Sequence, residues 1–262
     1  MTFELIAILA VCGCAVGFIN TLAGGGSALA FSALDLAGVP LDVVNGTYRI
    51  AAVLQSVVST GTFHRQDRLD VKTALLLGIP ASVGAALGAL IAVDIDETLF
   101  RRIVAFVLVA FLAALIVRPD RWAPDRKEDV AGGLGAVDMA VFFGVGIYGG
   151  FIHIGVGYLM LMAVLFTTGY DLVRANAIKV MVILLYLPWA VAVFAWGGKI
   201  SLWYGLPLAV GQAVGAFAGA RFAVEGGREY VRAAVMLFIL AMVPHLLGFY
   251  DLGAVLRGLT GT

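Results

Sequence analysis

The stretch "NTLAGGGSALA", Asn20 to Ala30, places three consecutive glycines in the middle of an apolar segment that covers residues 4–38. A straight helix of that length would measure about 52 Å, whereas the hydrocarbon core of a bilayer is about 30 Å thick. A single glycine inside a helix costs about 1 kcal/mol relative to alanine, so three together favour an interruption. The sequence therefore predicts a helix–break–helix hairpin that turns within residues 20–26.

The composition indicates an integral membrane protein. Of the 262 residues, 62% are hydrophobic and 13% are charged, and the mean hydropathy is +1.02. A soluble domain is roughly half apolar and about a quarter charged. The formal net charge is zero, which leaves no basic field to attract nucleic acid. The amino terminus has no Lys or Arg ahead of its apolar run, so we expect no cleaved signal peptide.

Apolar stretches recur from one end of the chain to the other, and most are long enough to cross a bilayer. They cover residues 4–38, 43–63, 71–93, 99–117, 133–168, 175–197, 200–224 and 229–250. We predict that all are helices, because backbone exposed to lipid must satisfy its own hydrogen bonds. Their polarity does not alternate as it does in barrel strands. The polar linker at 118–130 divides one membrane domain into two regions, 1–130 and 131–262.

The two regions resemble each other in sequence. A shift of 131 residues aligns "VGAALGALIA" (83–92) with "VGAFAGARFA" (214–223). A shift of 133 residues aligns "GFIN" (17–20) with "GFIH" (150–153). We therefore predict an all-α polytopic membrane protein of two repeats, each a broken helix or hairpin followed by three transmembrane helices.

The distribution of basic residues favours inverted repeats. If each long first segment folds back to the side on which it starts, 12 of the 17 Lys and Arg residues lie on one side of the membrane and 5 on the other. If each long segment crosses once, the split is 9 to 8, and the positive-inside rule gives no orientation. The first arrangement puts the linker in the cytoplasm and both chain ends outside.

The glycine-rich break is a candidate anion site. Half-helix N-termini direct unpaired N–H groups and a positive dipole end into the protein, and glycine lets a ligand approach the backbone closely. The candidate residues here are Asn20, Thr21, Gly24, Gly25, Gly26 and Ser27. The segment "GGFIHIGVG" (149–157) predicts a second break, with His153, Gly155 and Gly157 as candidates. The alternative is that these small residues only permit tight helix packing.

Two basic residues within apolar helices form a second candidate feature. Asn45 and Arg49 in "NGTYRIAAVLQ" are four residues apart and share a helix face, while Asn176 and Lys179 in "NAIKVMVILLY" are three apart. A cation inside the membrane costs about 2.5–3.5 kcal/mol even on a lenient scale, and it suggests a function by default. The alternative is that each side chain extends to the interface. Gln55, on the same helix as Arg49, joins the candidate site.

Residue types that are absent also narrow the function. The predicted spans hold no carboxylate at depth, and Asp138 lies about one turn into its segment. A cation carrier normally needs carboxylates or carbonyl cages, so we predict a negative substrate. His153 is a candidate ligand or proton carrier, and a buried structural histidine is the alternative. Without a Walker, dinucleotide, metalloprotease or nucleophile-elbow motif, we expect no enzymatic activity, no cofactor and no metal site.

The stretches "GFINTLAGGGSALAFSALDLAGVPLDVVNGTYRIAAVLQSVVSTGTFHRQDRLD" and "GFIHIGVGYLMLMAVLFTTGYDLVRANAIKVM" resemble the TauE/SafE family of membrane transporters, also called the toluene sulfonate uptake permease family. The resemblance covers nearly the whole chain. It rests on the glycine cluster after G-F-I and on the "NGT-x-R-I-A-x-x-L-Q" helix. It implies movement of sulfite, organosulfonates and related sulfur anions across a bacterial inner membrane. By resemblance, the family motif includes Gly24–Gly26, Asn45, Thr47 and Arg49.

Together these features predict a multi-pass transporter that exports sulfite or an organosulfonate by alternating access between two repeats. The alternatives are a transporter of another small anion such as a carboxylate, a metal-cation transporter, and a membrane scaffold that transports nothing. The expected partners are the anion and the lipid bilayer, with a proton as candidate coupling ion and a homodimer as candidate assembly. No nucleic acid is expected to bind.

Overall fold

The computed structural model describes residues 2–93 and 134–246, with side chains described as far as residue 225. Within these residues the chain forms eight helices and no strands. The helices are α1 (Phe3–Leu22), α2 (Ser27–Leu36), α3 (Leu41–Arg65), α4 (Val71–Val93), α5 (Ala136–Phe151), α6 (Val156–Thr168), α7 (Leu172–Trp196) and α8 (Leu202–Leu246). The predicted span at 99–117 and the linker at 118–130 lie outside the described residues.

The helix is interrupted in both over-long segments, as predicted. Residues 23–26 separate α1 from α2, and residues 152–155 separate α5 from α6. Gly24 has a φ of 83° and Gly155 a φ of 71°, a left-handed conformation that glycine adopts without steric cost. A glycine therefore allows the backbone to change direction at each of the two breaks.

The last part of the chain differs from the prediction. A break was expected between the spans 200–224 and 229–250, but α8 continues without interruption for 45 residues. The polar stretch between those spans contains two glycines, each of which costs only about 1 kcal/mol in a helix, and its Glu and Arg residues are good helix formers. The local signal for a break is therefore weak enough for the helical hydrogen bonds to continue.

Four described helices are long and apolar enough to cross a membrane: Phe3–Leu22, Val71–Val93, Leu172–Trp196 and Leu202–Glu225. Helix α3 is as long as α7, with 25 residues, but it carries several polar side chains. Most of those, including Asn45, Arg49 and Gln55, are buried inside the bundle. These buried polar residues of α3 therefore face other helices rather than lipid.

Two pairs of helices pack at very short distance through glycine. Helix α1 lies along α8, and α5 lies along α4. A Cβ atom on Gly17 would collide with the backbone of Gln212 in α8, and one on Gly150 would collide with the backbone of Ala85 in α4. Small residues at membrane helix interfaces allow backbones to approach this closely. In both pairs, a helix that ends at a break is held by a long helix from the other region.

Helices α3 and α7 lie at the centre and run antiparallel. Asp42, in the first turn of α3, forms an ion pair with Lys199, which follows the end of α7, at an Nζ–Oδ2 distance of 2.6 Å. At the opposite end, the hydroxyl of Tyr170, just ahead of α7, donates to Asp70 Oδ2, beyond the end of α3, at 2.9 Å. The start of each helix therefore lies beside the end of the other.

The packing also shows where the first interrupted segment leads. Ala10 of α1 lies against Gly211 of α8, and Cys14 lies against Gly215, so α1 and α8 run in the same direction and start on the same side. The start of α3 lies beside the end of α7, which is joined to α8 by a short turn. The chain from α1 to the start of α3 thus returns to the side on which it began, in agreement with the predicted hairpin.

Candidate functional site

The two helix breaks meet inside the protein. Gly24 packs directly against the backbone of Gly157 and Tyr158, and the Gly155 amide donates to Ser27 Oγ at 3.0 Å. Ser27 opens α2, and Gly157 lies in the first turn of α6. Because the first N–H groups of a helix have no acceptor within that helix, this contact brings two donor-rich helix ends to one place.

A small cavity lies at this meeting point, beside the middle of α3. Its volume is about 10 Å³, which is close to the minimum that one water molecule needs. Backbone of Gly24 and Gly157 forms part of the wall, and apolar side chains from α3 and α7 complete it. The polar side chains that line it are Asn20, Ser27, Tyr48, Gln55, Ser56, His153 and Lys179.

Hydrogen bonds connect these polar side chains across several elements. The Asn20 amide donates to the Tyr48 hydroxyl at 2.7 Å and to Gln55 Oε1 at 3.1 Å. His153 Nδ1 lies 3.3 Å from the Tyr186 hydroxyl, and the centres of the His153 and Tyr48 rings are 5.4 Å apart. The network thus joins residues from both breaks to α3 and α7.

Arg49 closes the carboxyl end of α5 and does not line the cavity. Its guanidinium donates to the carbonyl of Gly149 at 2.9 Å and to the carbonyl of Gly150 at 2.6 Å. Asn45 accepts from the guanidinium and donates to the carbonyl of Phe151, the last residue of α5. A positive charge is favourable there, because the carboxyl end of a helix carries about half a negative charge.

Lys179 and Asn176 close the carboxyl end of α1 in the corresponding way. Lys179 Nζ donates to the carbonyl of Asn20 at 3.0 Å and to that of Thr21 at 3.3 Å. Asn176 donates to the carbonyl of Leu22, the last residue of α1, at 2.8 Å. Each region therefore supplies an asparagine and a cation to the broken helix of the other. Lys179 differs from Arg49 in that it also lines the cavity.

Several predicted site residues do not line the cavity. Thr47 accepts a hydrogen bond from the Ser201 amide at 2.9 Å, at the turn between α7 and α8. Gly25 and Gly26 belong to the first break but are not part of the cavity wall. The Thr21 hydroxyl is buried and has no hydrogen-bond partner among the described residues.

The sequence-based site omits two polar residues of the cavity, Tyr48 and Ser56. Together with Ala52 and Gln55 they recur at intervals of three and four residues, which places them on one face of α3. The signal that could have found them is this helical period counted from Ala52, four residues back to Tyr48 and three and four residues forward to Gln55 and Ser56.

One titratable group beyond the ends of the helices joins α4 to the start of α7. Burial raises the pKa of the Asp70 carboxyl, but hydrogen bonds donated by Thr73 and by the Tyr170 hydroxyl outweigh it and hold this pKa below its usual range. The hydrogen bonds stabilise the charged form of the carboxyl. Asp70 is therefore an ionised acceptor near neutral pH.

The chain matches the family model described as "Sulfite exporter TauE/SafE" over residues 9–246. It is 28% identical over 251 residues to a Haemophilus influenzae protein named "Probable membrane transporter protein", covering 95% of this chain and 96% of that protein. It is 25% identical over 247 residues to "Probable membrane transporter protein ORF9" of a Sinorhizobium species, covering 94% of each chain. The corresponding figures for "Probable membrane transporter protein YfcA" of Escherichia coli K12 are 26% over 249 residues, 94% and 90%.

No solved structure matches the chain. The family match spans most of the sequence and confirms the resemblance carried by the glycine cluster and the "NGTYRIAAVLQ" helix. The relatives are named as probable membrane transporter proteins, and the described helices include four that are apolar and long enough to cross a membrane. The chain therefore belongs to the TauE/SafE sulfite exporter family and is a membrane transporter, not an enzyme.

Proposed function

We propose that the protein exports a small sulfur-containing anion, sulfite or an organosulfonate, through the cavity at which the two helix breaks meet. The observation that carries this proposal is the lining of that cavity. It combines the ammonium of Lys179, two helix N-termini and several neutral hydrogen-bond donors, and none of the described residues that line it is Asp or Glu. Such a lining favours an oxyanion over a cation.

Two inverted repeats, 1–130 and 131–262, account for the packing. Helices in corresponding positions make corresponding contacts, since α1 packs on α8 as α5 packs on α4, and α3 packs on α8 as α7 packs on α4. The antiparallel course of α3 and α7 also supports inversion, because equivalent helices of inverted repeats run in opposite directions. Alternating access then consists of the two repeats moving against each other around a shared site.

Substrate entry requires the cavity to open. A space of about 10 Å³ holds at most one water molecule, whereas sulfite has four heavy atoms. Contacts between described residues at the two ends of α3 and α7 include the Asp42–Lys199 ion pair and the Tyr170–Asp70 hydrogen bond. We expect one of them to separate while the other stays closed in each half of the cycle.

We place the protein in a bacterial inner membrane and expect it to move the anion out of the cell. An all-helical bundle suits a bacterial inner membrane. The inside-negative potential there favours the exit of an anion by about 2.3 kcal/mol per charge per 100 mV. His153 lies in the cavity and approaches the Tyr186 hydroxyl, so it is the residue proposed to carry a coupling proton, if transport follows a pH gradient.

Efflux from liposomes tests this function. Purified protein is reconstituted into liposomes loaded with radiolabelled sulfite or sulfoacetate, and an inside-negative potential is imposed. We expect efflux that depends on the protein, that Lys179→Met abolishes, and that Arg221→Ala, a change at an exposed ion pair with Glu225, leaves intact. Efflux no faster than from protein-free liposomes loaded with the same anion would refute the proposal.

Competition and melting experiments separate the rival functions. Flux of a labelled carboxylate without flux of sulfite or sulfoacetate would indicate a carrier of a different anion, and flux of a divalent metal alone would indicate a cation carrier. A membrane scaffold predicts no flux and no rise in melting temperature with any of these compounds, whereas a ligand that binds the folded protein raises it.

A further inference from the structure

The two cations that close the broken helices occupy corresponding positions but are not equivalent. Arg49 and Lys179 each bind two backbone carbonyls at the end of a helix from the other region. Only Lys179 also lines the cavity. Any anion that enters the cavity therefore meets a cation that is already bonded to the end of α1.

The contacts of Arg49 are short and fix it in place. Its two terminal nitrogens lie 2.9 Å and 2.6 Å from their carbonyl oxygens, and the guanidinium carbon lies 4.5 Å from the centre of the Phe194 ring. The planar fork of arginine suits two adjacent acceptors and stacks on aromatic rings. Arg49 does not line the cavity, so no ligand there competes for its contacts.

The contacts of Lys179 are easier to exchange. Its ammonium lies 3.0 Å and 3.3 Å from its two carbonyl oxygens, and the second distance is long for a charged hydrogen bond. An ammonium is a compact charge on a flexible stem with three donors. It can therefore turn toward an anion, and it then leaves the carbonyls of Asn20 and Thr21 without their cation.

We propose that Lys179 binds the anion and thereby couples anion binding to release of the end of α1, while Arg49 holds the end of α5 in place throughout the cycle. This inference rests on the proposed anion function. The mobile part of the transporter is then the first break with the last turn of α1, and the second break is the fixed reference. The choice of Lys at one position and Arg at the other sets which helix end moves.

Hydrogen–deuterium exchange of the reconstituted protein tests the proposal directly. With saturating sulfite, or with sulfoacetate if efflux is seen only with that anion, amides in the last turn of α1 should exchange faster. Amides in the first turn of α2 should exchange more slowly, because they face the bound anion. The last turn of α5 is the internal control, and its exchange should stay unchanged.

The variants Lys179→Arg and Arg49→Lys supply the matched comparison. Lys179→Arg should keep the protein folded and retain anion binding, but the arginine guanidinium should stay bonded to the two carbonyls when the anion binds. We expect kcat for efflux to fall about tenfold or more while KM changes much less, which corresponds to a barrier raised in the transport step and not in binding. The faster exchange at the end of α1 should disappear with it, whereas in Arg49→Lys it should persist.

The outcomes separate the inference from the function. No sulfite or sulfoacetate flux by the wild-type protein would refute the proposed function itself. Normal flux with unchanged exchange at the end of α1, or with an equal change at the end of α5, would refute only the role given to Lys179. A Lys179→Arg protein that transports at the wild-type rate would do the same.

Discussion

Replacing Arg49 with alanine removes the cation that closes the end of α5. In the structure this guanidinium binds the carbonyls of Gly149 and Gly150 and lies over the ring of Phe194. Alanine reaches none of these groups. Both carbonyls would stay buried between helices without the donor that now satisfies them.

The size of the effect follows from these contacts. A buried acceptor that loses its partner costs about 1–3 kcal/mol, and a desolvated cation–aromatic contact contributes about 2 kcal/mol. The free energy of unfolding should therefore fall by roughly 4–8 kcal/mol. Since a whole domain is stable by only about 5–15 kcal/mol, Arg49→Ala should come close to unfolding the protein, and Arg49→Lys should have an intermediate effect.

Thermal melting of the purified protein in detergent, followed by tryptophan fluorescence, measures the loss. Arg221→Ala is the control, because its ion pair with Glu225 is exposed, spans 3.2 Å and contributes about 0.3–0.5 kcal/mol. An Arg49→Ala protein that melts like the wild type and has lost only its response to sulfite would contradict this reasoning. Arg49 would then bind the substrate and not the helix end.

Gly24→Ala should prevent the two breaks from meeting, because its Cβ would collide with the backbone of α6. Gly38→Ala is the control, since Gly38 has a similar positive φ but open space around it. Equal melting temperatures for the two variants would disprove the collision. Asp42→Lys should destabilise the protein by about 1 kcal/mol or less, because the ion pair is partly exposed. Failure of the added change Lys199→Asp to restore the melting temperature would argue against a direct pairing. Asn176→Ala should lower the free energy of unfolding by about 1–3 kcal/mol in a detergent-unfolding titration, because it leaves the last carbonyl of α1 without its donor. An unchanged midpoint would mean that this hydrogen bond contributes nothing.

The helix breaks could be predicted because their cause is local. An apolar run too long for the bilayer and a cluster of glycines are visible within a short window of sequence, and both interruptions occur where those signals coincide. The break expected ahead of residue 229 rested on two glycines in a short polar stretch, and α8 continues through it. Two glycines lower the stability of a helix but do not by themselves end it.

The partner of Arg49 could not be predicted, because it comes from a part of the chain 100 residues away. An asparagine and a cation on one face of an apolar helix look the same whether they bind an anion or the end of another helix. Which of the two applies depends on where α5 ends in space. For Lys179 the same pattern serves both purposes in our proposal, and only the position of the cavity distinguishes it from Arg49.

The reciprocal closing of helix ends has a consequence for how the protein is made. When the first region leaves the ribosome, the carbonyls at the end of α1 have no cation, because Asn176 and Lys179 have yet to be synthesised. Arg49 likewise has no acceptor until the end of α5 has been synthesised. Neither region alone can supply the hydrogen bonds that close its own broken helix, so we expect the early helices to reach their final stability only after the later ones are translated.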